Sequence, residues 1–458
     1  MREGPFRKAI CAAASGLGEQ PMQTMKGGIS MKTGVLKLLG LLVILALLPV
    51  ALSSALAEET IDLSAANGDV MITEGGTYTL TGMLSGWPVI VDASKEEKVE
   101  LILSGAVIDN SHGAAINCRQ AKDLIITLTE GTVNRLTGAK PEIFDNTDKD
   151  EPSAALFSKA DLIIRGTGSL EVYGNWKHGI ATKDDLRVEE GILTVRSVSD
   201  AVRGKDSVEI EGGTLLLEAG KDGISATNNK DADRGYVQIS GGSITVHAAG
   251  DGIQAETDLI ILGGTFDITT DGVPSGSSNS QRGLKAGGSI TLGGASLRLD
   301  TQGDAVHADM NVTIAGGEIE AVSGGDTVDA NGDILVKGGK LRLTSPAEPP
   351  TKGALMCDQG ITILGGDIGF VGNTGAEISM ENQPLLMVSC ASVRSPGVLS
   401  LKDRTGALLL EVNAGDNFNL SGFSSQEMKT GETYSVFMDD EKITDVTLTD
   451  TITRVKVD

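Results

Sequence analysis

The sequence predicts an all-β chain wound into a parallel β-helix of about 22-residue coils, ending in a small C-terminal β cap. Three observations predict it. The first is a repeated phrase: DAVRGKDSVEIEGGTLLLEAG from Asp200, DGISATNNKDADRGYVQISGGSITVHAAG from Asp222 and DGIQAETDLIILGGTFDITTDG from Asp251. The steps are 22 and 29 residues, and the excess falls in the polar insertion Asn228–Gly235. The second is period-two alternation filled by β-branched residues, as in Val208-Glu209-Ile210 and Ser243-Ile244-Thr245-Val246. The third is the set of Gly-Gly pairs at Gly212, Gly241, Gly263, Gly316 and Gly338, which supply turn torsions between strands. A propeller blade needs about 40 residues, and a leucine-rich repeat needs a Leu/Asn consensus that is missing here.

Residues 31–57, MKTGVLKLLGLLVILALLPVALSSALA, read as a secretory signal peptide. Lys32 and Lys37 form the charged start, Leu38–Leu52 the apolar core and Ala55-Leu56-Ala57 the cleavage site. Met31 is the more natural initiator, and residues 1–30 read as an extension. The apolar run is short for a membrane span and lacks a following basic stop, so no integral membrane domain is expected after cleavage. Residues 1–57 hold six basic and two acidic side chains within a chain of net charge −24, so the remainder carries about −28. Such an acidic surface argues against nucleic acid and suits an extracellular protein that binds hard cations.

Ile61–Ala93 reads as strands, TYTLTGML from Thr77 most clearly. Less regular coils begin at Val99, Ala115 and Ala154, and the loop Glu142–Pro152 is the densest acidic cluster. Regular coils begin at His178 and continue through Arg282, Asp304, Asp326 and Gly353. Beyond Gly372 the period fails. The expected units are therefore 1–57 as extension and signal, 58–374 as β-helix, and 375–458 as cap. Mature Cys118, Cys357 and Cys390 form no CxxC pair, and Cys118 and Cys357 fall at strand positions that suit core packing.

Within each opening strand the third and fifth residues should point inward, as Val202 and Gly204 or Ile224 and Ala226. The first, fourth and sixth should point outward or sit at the edge. The first file of residues is His178, Asp200, Asp222, Asp251, Arg282, Asp304, Asp326. The fourth is Ala181, Arg203, Ser225, Gln254, Lys285, His307, Asp329, and the sixth begins Lys183, Lys205. One face then carries a polar, carboxylate-rich ladder.

The run from about Glu59 to Met438 resembles the bacterial carbohydrate-binding-domain family of secreted, right-handed, pectate-lyase-like β-helix proteins found in clostridia. The strings that carry the resemblance are FDNTDKDEPSAALFSKADLII from Phe144, HGIATKDDLRV from His178, DAVRGKDSVEI from Asp200, DADRGYVQISGG with DGIQAETDL, and MKTGETY from Met428. The resemblance implies binding of cellulose and pectin-type acidic sugars, and calcium on the helix. The family often writes a double Asp before Gly-Ile, whereas a single Asp stands at Asp222, Asp251, Asp304 and Asp326.

Two groups of carboxylates suit calcium, which takes six to eight oxygens. Asp145, Asp148, Asp150 and Glu151 crowd one loop. Asn228, Asp231 and Asp233 in the insertion stand near ladder carboxylates Asp222 and Asp251 in sequence, with Lys221 and Arg234 as the alternative neutralising groups. Lys183, Arg203, Lys205 and Lys285, with Gln254 in the same ladder, suit uronate carboxylates, Arg in bidentate fashion. Aromatic residues are scarce, which favours polar or ion-bridged recognition; Tyr173 and Trp176 offer one small platform or pack at a turn. The expectation is a secreted, monomeric, calcium-associated binder of acidic or cellulosic polysaccharide without catalysis. The rivals are a calcium-dependent β-eliminating lyase, with Arg203, Lys205 or Lys285 as base, and a structural surface adhesin.

Overall fold

Alternation sorts the side chains of every coil. In Thr214–Ala219, Leu215 and Leu217 are buried while Thr214 and Leu216 are exposed. The computed structural model describes residues 57–141, 151–271, 280–346, 351–415 and 418–458. These belong to the compact unit Ala55–Asp458. All but the last residue of the expected signal peptide 31–57, and the loop residues Asp145, Asp148 and Asp150, lie outside the described residues.

The fold is the right-handed parallel β-helix that the repeat predicts. Each regular coil contributes a short strand, a first long-sheet strand and a second, as in Val202–Gly204, Ser207–Ile210 and Thr214–Ala219. The short strands build a 13-stranded sheet among the described residues, and the other two strand files belong to a 27-stranded sheet. Registers are the same from coil to coil. Leu193, Leu215, Ile244, Phe266, Leu297, Ile319, Leu341 and Ile368 stack as one apolar file. On the short-strand side Ile180, Val202, Ile224, Ile253, Leu284, Val306 and Val328 stack in the same way. All of these face one continuous core. Burying each such side chain is worth about 1.5–3 kcal/mol, so the core scales with the number of coils.

The corner between the two long-sheet strands is three residues in every regular coil, from 189–191 to 364–366. Gly213 and Gly242 show why glycine stands there. Their φ angles are 91° and 99°, and an added Cβ on Gly213 would lie 2.7 Å from the Gly191 carbonyl of the coil before.

Coil-on-coil parallel pairing runs to Ile378–Met380, and one further parallel pair joins Leu385–Arg394 to Ile452–Val457. The stack then ends against antiparallel chain: Asp367–Val371 pairs with Phe418–Ser424, which also pairs with Leu385–Arg394. A four-stranded antiparallel sheet, Gly397–Lys402, Leu408–Ala414, Thr433–Met438 and Glu441–Thr447, packs around a second apolar cluster that includes Leu399, Phe418 and Val436. Such a cover removes the open edge that a parallel stack leaves. Among the described residues no helix is long and apolar enough to cross a membrane. Cys118 and Cys357 are buried, and burial pushes the Cys118 thiol up to about 11.

Candidate functional site

The outer face of the short-strand sheet gathers the polar residues that the repeat sets in register. Phe157, Ala181, Arg203, Ser225, Gln254, Lys285, His307 and Asp329 form one file, each partnered with the next. Arg203, Gln254 and Lys285 therefore share a line along the axis, with coils about 4.8 Å apart.

At the start of this file is a cleft of about 160 Å³. Its floor is the fully buried Phe157 and Ala181; its walls include Lys177, His178, Lys183, Arg203, Lys205 and Thr227. Three of the five expected sugar-binding residues thus meet in one place. Lys183 Nζ lies 2.7 Å from Glu151, which also receives Lys159 at 3.1 Å. Arg203 reaches Asp200 Oδ2 at 3.3 Å, the Thr227 hydroxyl at 3.4 Å and His178 Nε2 at 3.4 Å. Lys205 pairs with Asp206 at 3.6 Å. Gln254 donates to Glu256 at 3.3 Å, and Lys285 pairs with Asp251 at 3.2 Å, further along the face. At the rim Lys177 stacks over Trp176, 5.3 Å from the ring centre.

The electrostatics of the cleft follow from those contacts. Arginine only donates, so His178 Nε2 accepts and its proton sits on Nδ1, which faces Asp200 Oδ2 at 3.5 Å. Burial, together with the cations Arg203, Lys177 and Lys221, pushes His178 down to about 4. Burial works against the Asp200 charge, but His178, Lys221 and Arg203 outweigh it and hold that carboxyl below its ordinary range.

Of the two placements expected for the first file, outward or at the strand's edge, Asp200, Asp222 and Asp251 take the second. Asp200, Asp222 and Asp251 are only 0%, 2% and 3% exposed. These residues precede the strand and lie in the corner, where strand parity does not apply. Their short side chains fold back onto the next coil. Asp222 Oδ1 accepts the Asp251 N–H, Asp251 Oδ1 the Arg282 N–H, Asp304 Oδ1 the Asp326 N–H and Asp326 Oδ1 the Gly353 N–H. The other oxygens are engaged too: Asp222 with Lys221 at 2.6 Å, Asp251 with Lys285.

This arrangement does not assemble the expected calcium shell from Asp222, Asn228, Asp231, Asp233 and Asp251. The insertion leaves from the far end of the strand Ile224–Ala226, opposite the end at which Asp222 sits. Asn228 is occupied as a loop organiser: its Nδ2 donates to Asp206 at 2.7 Å and its Oδ1 accepts the Lys230 and Asp231 N–H groups. Arg234 pairs with Asp206, Asp184 and Asp231 rather than with the ladder. Asp231 and Asp233 are exposed. Glu151 is neutralised by two lysines. A cation shell needs oxygens converging on one point, and here they diverge.

Two clusters were not singled out from sequence. Asp161, Asp184 and Asp185 bring carboxylate oxygens within 4.8 Å of one another beside Arg234. Burial, with the neighbouring carboxylates, raises Asp184 above its ordinary range. Asp304, His307 and Asp329 converge likewise. The spacing Asp304-x-x-His307-x-Asp309, with Asp329 one 22-residue step after His307, was the available signal.

Residues 66–330, more than half of the chain, match the family model of carbohydrate-binding domain-containing proteins. The chain belongs to that family. A curated carbohydrate-binding domain-containing protein of Acetivibrio thermocellus is 34% identical over 141 residues, which is 31% of this chain and 49% of the relative. The chain thus spans about half the length of the curated relative it matches. A solved polysaccharide lyase-like protein from C. thermocellum, a gadolinium derivative, aligns with a TM-score of 0.46 at 28% identity, covering 53% of this chain and 96% of that one. The cleft and the file from Phe157 to Asp329 lie inside the segment that matches the carbohydrate-binding family.

Proposed function

We propose that this carbohydrate-binding protein holds an acidic, pectin-type polysaccharide along the short-strand face without cleaving it. One observation carries the reading. On a chain of net charge −24, Lys177, Lys183, Arg203 and Lys205 converge on one cleft, with Lys285 further along the same face. Each cation already has a carboxylate or aromatic neighbour, so an incoming uronate exchanges partners rather than meeting bare charges. Arg203 offers the fork that a carboxylate accepts in bidentate fashion. The coil spacing is comparable to the length of one sugar in an extended chain, so successive coils can meet successive residues of a glycan laid along the axis. Calcium stays in the proposal only at the loop of Asp145, Asp148 and Asp150, on the strength of its carboxylate spacing. Export rests on residues 31–57 and a monomer on a self-contained coil stack.

The test is retention of the purified protein on insoluble polygalacturonate and on cellulose, with and without EDTA, while absorbance from unsaturated uronate ends is followed. Retention on polygalacturonate that weakens with salt, without new absorbance, supports the reading. Binding to cellulose alone overturns the acidic assignment, and rising absorbance overturns the non-catalytic one.

A further inference from the structure

Four coils beyond Arg203 on the same face, His307 occupies an unusual setting. It is 7% exposed, and both ring nitrogens face carboxylates. Nδ1 lies 2.6 Å from Asp329 Oδ2 and 3.8 Å from Asp304 Oδ2. Nε2 lies 3.1 Å from Asp309 Oδ1. A neutral imidazole carries one proton. If Asp309 accepts it at Nε2, the Nδ1 lone pair confronts two carboxylates. Arg282 already neutralises part of that charge at Asp304 Oδ2, and a second ring proton or a metal ion at Nδ1 relieves the rest.

We propose that His307 Nδ1, Asp304 Oδ2 and Asp329 Oδ2 bind one first-row divalent transition metal. The three atoms lie within 4.8 Å of one another, and Nδ1 and Asp329 Oδ2, hydrogen-bonded at 2.6 Å, part to roughly 3.3 Å when an ion at about 2.0–2.2 Å from each replaces the proton. Imidazole with carboxylates suits zinc, manganese or iron better than calcium. A separate observation points the same way. Metal-bound histidines almost always donate their second ring N–H to a carboxylate, which fixes the tautomer and aims the lone pair. Asp309 stands where that partner is needed. Asp304 is also preset: its Oδ1 is held by the Asp326 N–H, leaving Oδ2 turned toward the ring. Arg282 Nε reaches Asp304 Oδ2 at 3.0 Å, and a carboxylate oxygen has lone pairs for both a donor and a metal. Metal entry displaces the ring proton at Nδ1, which leaves to buffer, and the ligand bonds replace it.

The experiment is calorimetric titration of EDTA-stripped, desalted protein with Zn²⁺, alongside His307→Gln, Asp329→Asn and Asp309→Asn. We expect one saturable site on the parent protein and at least tenfold weaker binding in the first two variants. Asp309→Asn keeps all three ligands and should weaken binding about 10–100-fold. Absence of saturable binding, or binding in His307→Gln equal to that of the parent, overturns the proposal. Co²⁺ on the parent protein gives a second readout independent of any variant's folding. Intense visible bands of a low-coordinate site support the assignment, and only the faint spectrum of an exposed six-coordinate ion overturns it.

Discussion

Asp222 Oδ1 accepts the backbone N–H of Asp251 at 2.9 Å, so the side chain of one coil closes the backbone of the next. The same bond recurs from Asp251 to Arg282, Asp304 to Asp326 and Asp326 to Gly353. It needs an acceptor oxygen but no charge. The chain uses asparagine for an equivalent bond in a neighbouring corner, where Asn311 Oδ1 accepts the Asp333 N–H at 2.9 Å. Burial, together with Asp200, raises the Asp222 carboxyl above its ordinary range, so its charge is a burden. Asp222→Asn should therefore be neutral or stabilising, while Asp222→Ala strands a buried N–H and should cost about 1–3 kcal/mol. Urea unfolding of the two variants checks the order.

Asn228 organises the insertion rather than holding an ion. Asn228→Ala removes its bonds to Asp206, Lys230 and Asp231 and should destabilise by about 1 kcal/mol. Proteolytic nicking within 228–235 should quicken. Calcium titration of the same variant should match the parent; a lost calcium heat would restore Asn228 as a ligand.

Acid should act through His178. Its folded-state pKa is about 4, against an ordinary value of 6.5. Between these values the unfolded chain binds the proton and the folded chain does not. The stability linked to His178 is complete above pH 6.5 and declines as pH falls toward 4, by about 3 kcal/mol at most. Asp326, pushed up to about 6 by burial and by Asp304 and Asp329, acts in the opposite sense over the lower part of that range. The diagnostic is therefore the difference between parent and His178→Gln, measured by urea unfolding from pH 4.5 to 7.5 in roughly half-unit steps. A flat difference would count against a neutral, buried ring.

Lys205 is the cleanest probe of the cleft, because it is half exposed and its 3.6 Å partner, the buried Asp206, keeps Asn228 and Arg234 when Lys205 is removed. Lys205→Ala should weaken polygalacturonate retention several-fold and reduce its salt dependence, with an unchanged melting temperature. Arg203→Lys keeps the charge but loses the fork, and should weaken retention by about tenfold. Equal retention in both variants would move the glycan off this cleft.

The fold was legible because its two periods belong to the backbone. Alternation places Val202, Ile224 and Ile253 inside, and the 22-residue step stacks them. The cleft was legible for the same reason: Lys183 and Lys205 are one step apart, with Arg203 two residues before Lys205. What strand parity could not supply was the behaviour of corners. Asp222 and Asp251 stand just outside their strands, and a side chain short enough to reach the next coil's N–H turns inward. The grouping of Asn228, Asp231 and Asp233 with Asp222 and Asp251 failed because nearness in sequence says nothing about which end of a strand a loop leaves. His307 stood in the fourth file, but its cluster did not, because the partners come from both ends of its own short strand and from the next coil at once.

The corners also differ in how much chain they carry. Between the two long-sheet strands the count is three residues in each regular coil. The corner that leaves the short strand ranges from 205–206 to 227–235, and the corner that enters it from 175–177 to 271–283, of which 272–279 lie outside the described residues. Strand register is nevertheless the same on either side of the longest excursions, as Ile224 with Ile253 and Ile253 with Leu284 show. Both elastic corners border the face that carries the cleft. New segments can thus be grafted beside individual rungs of that face, redesigning what it grips, while the scaffold behind it stays untouched.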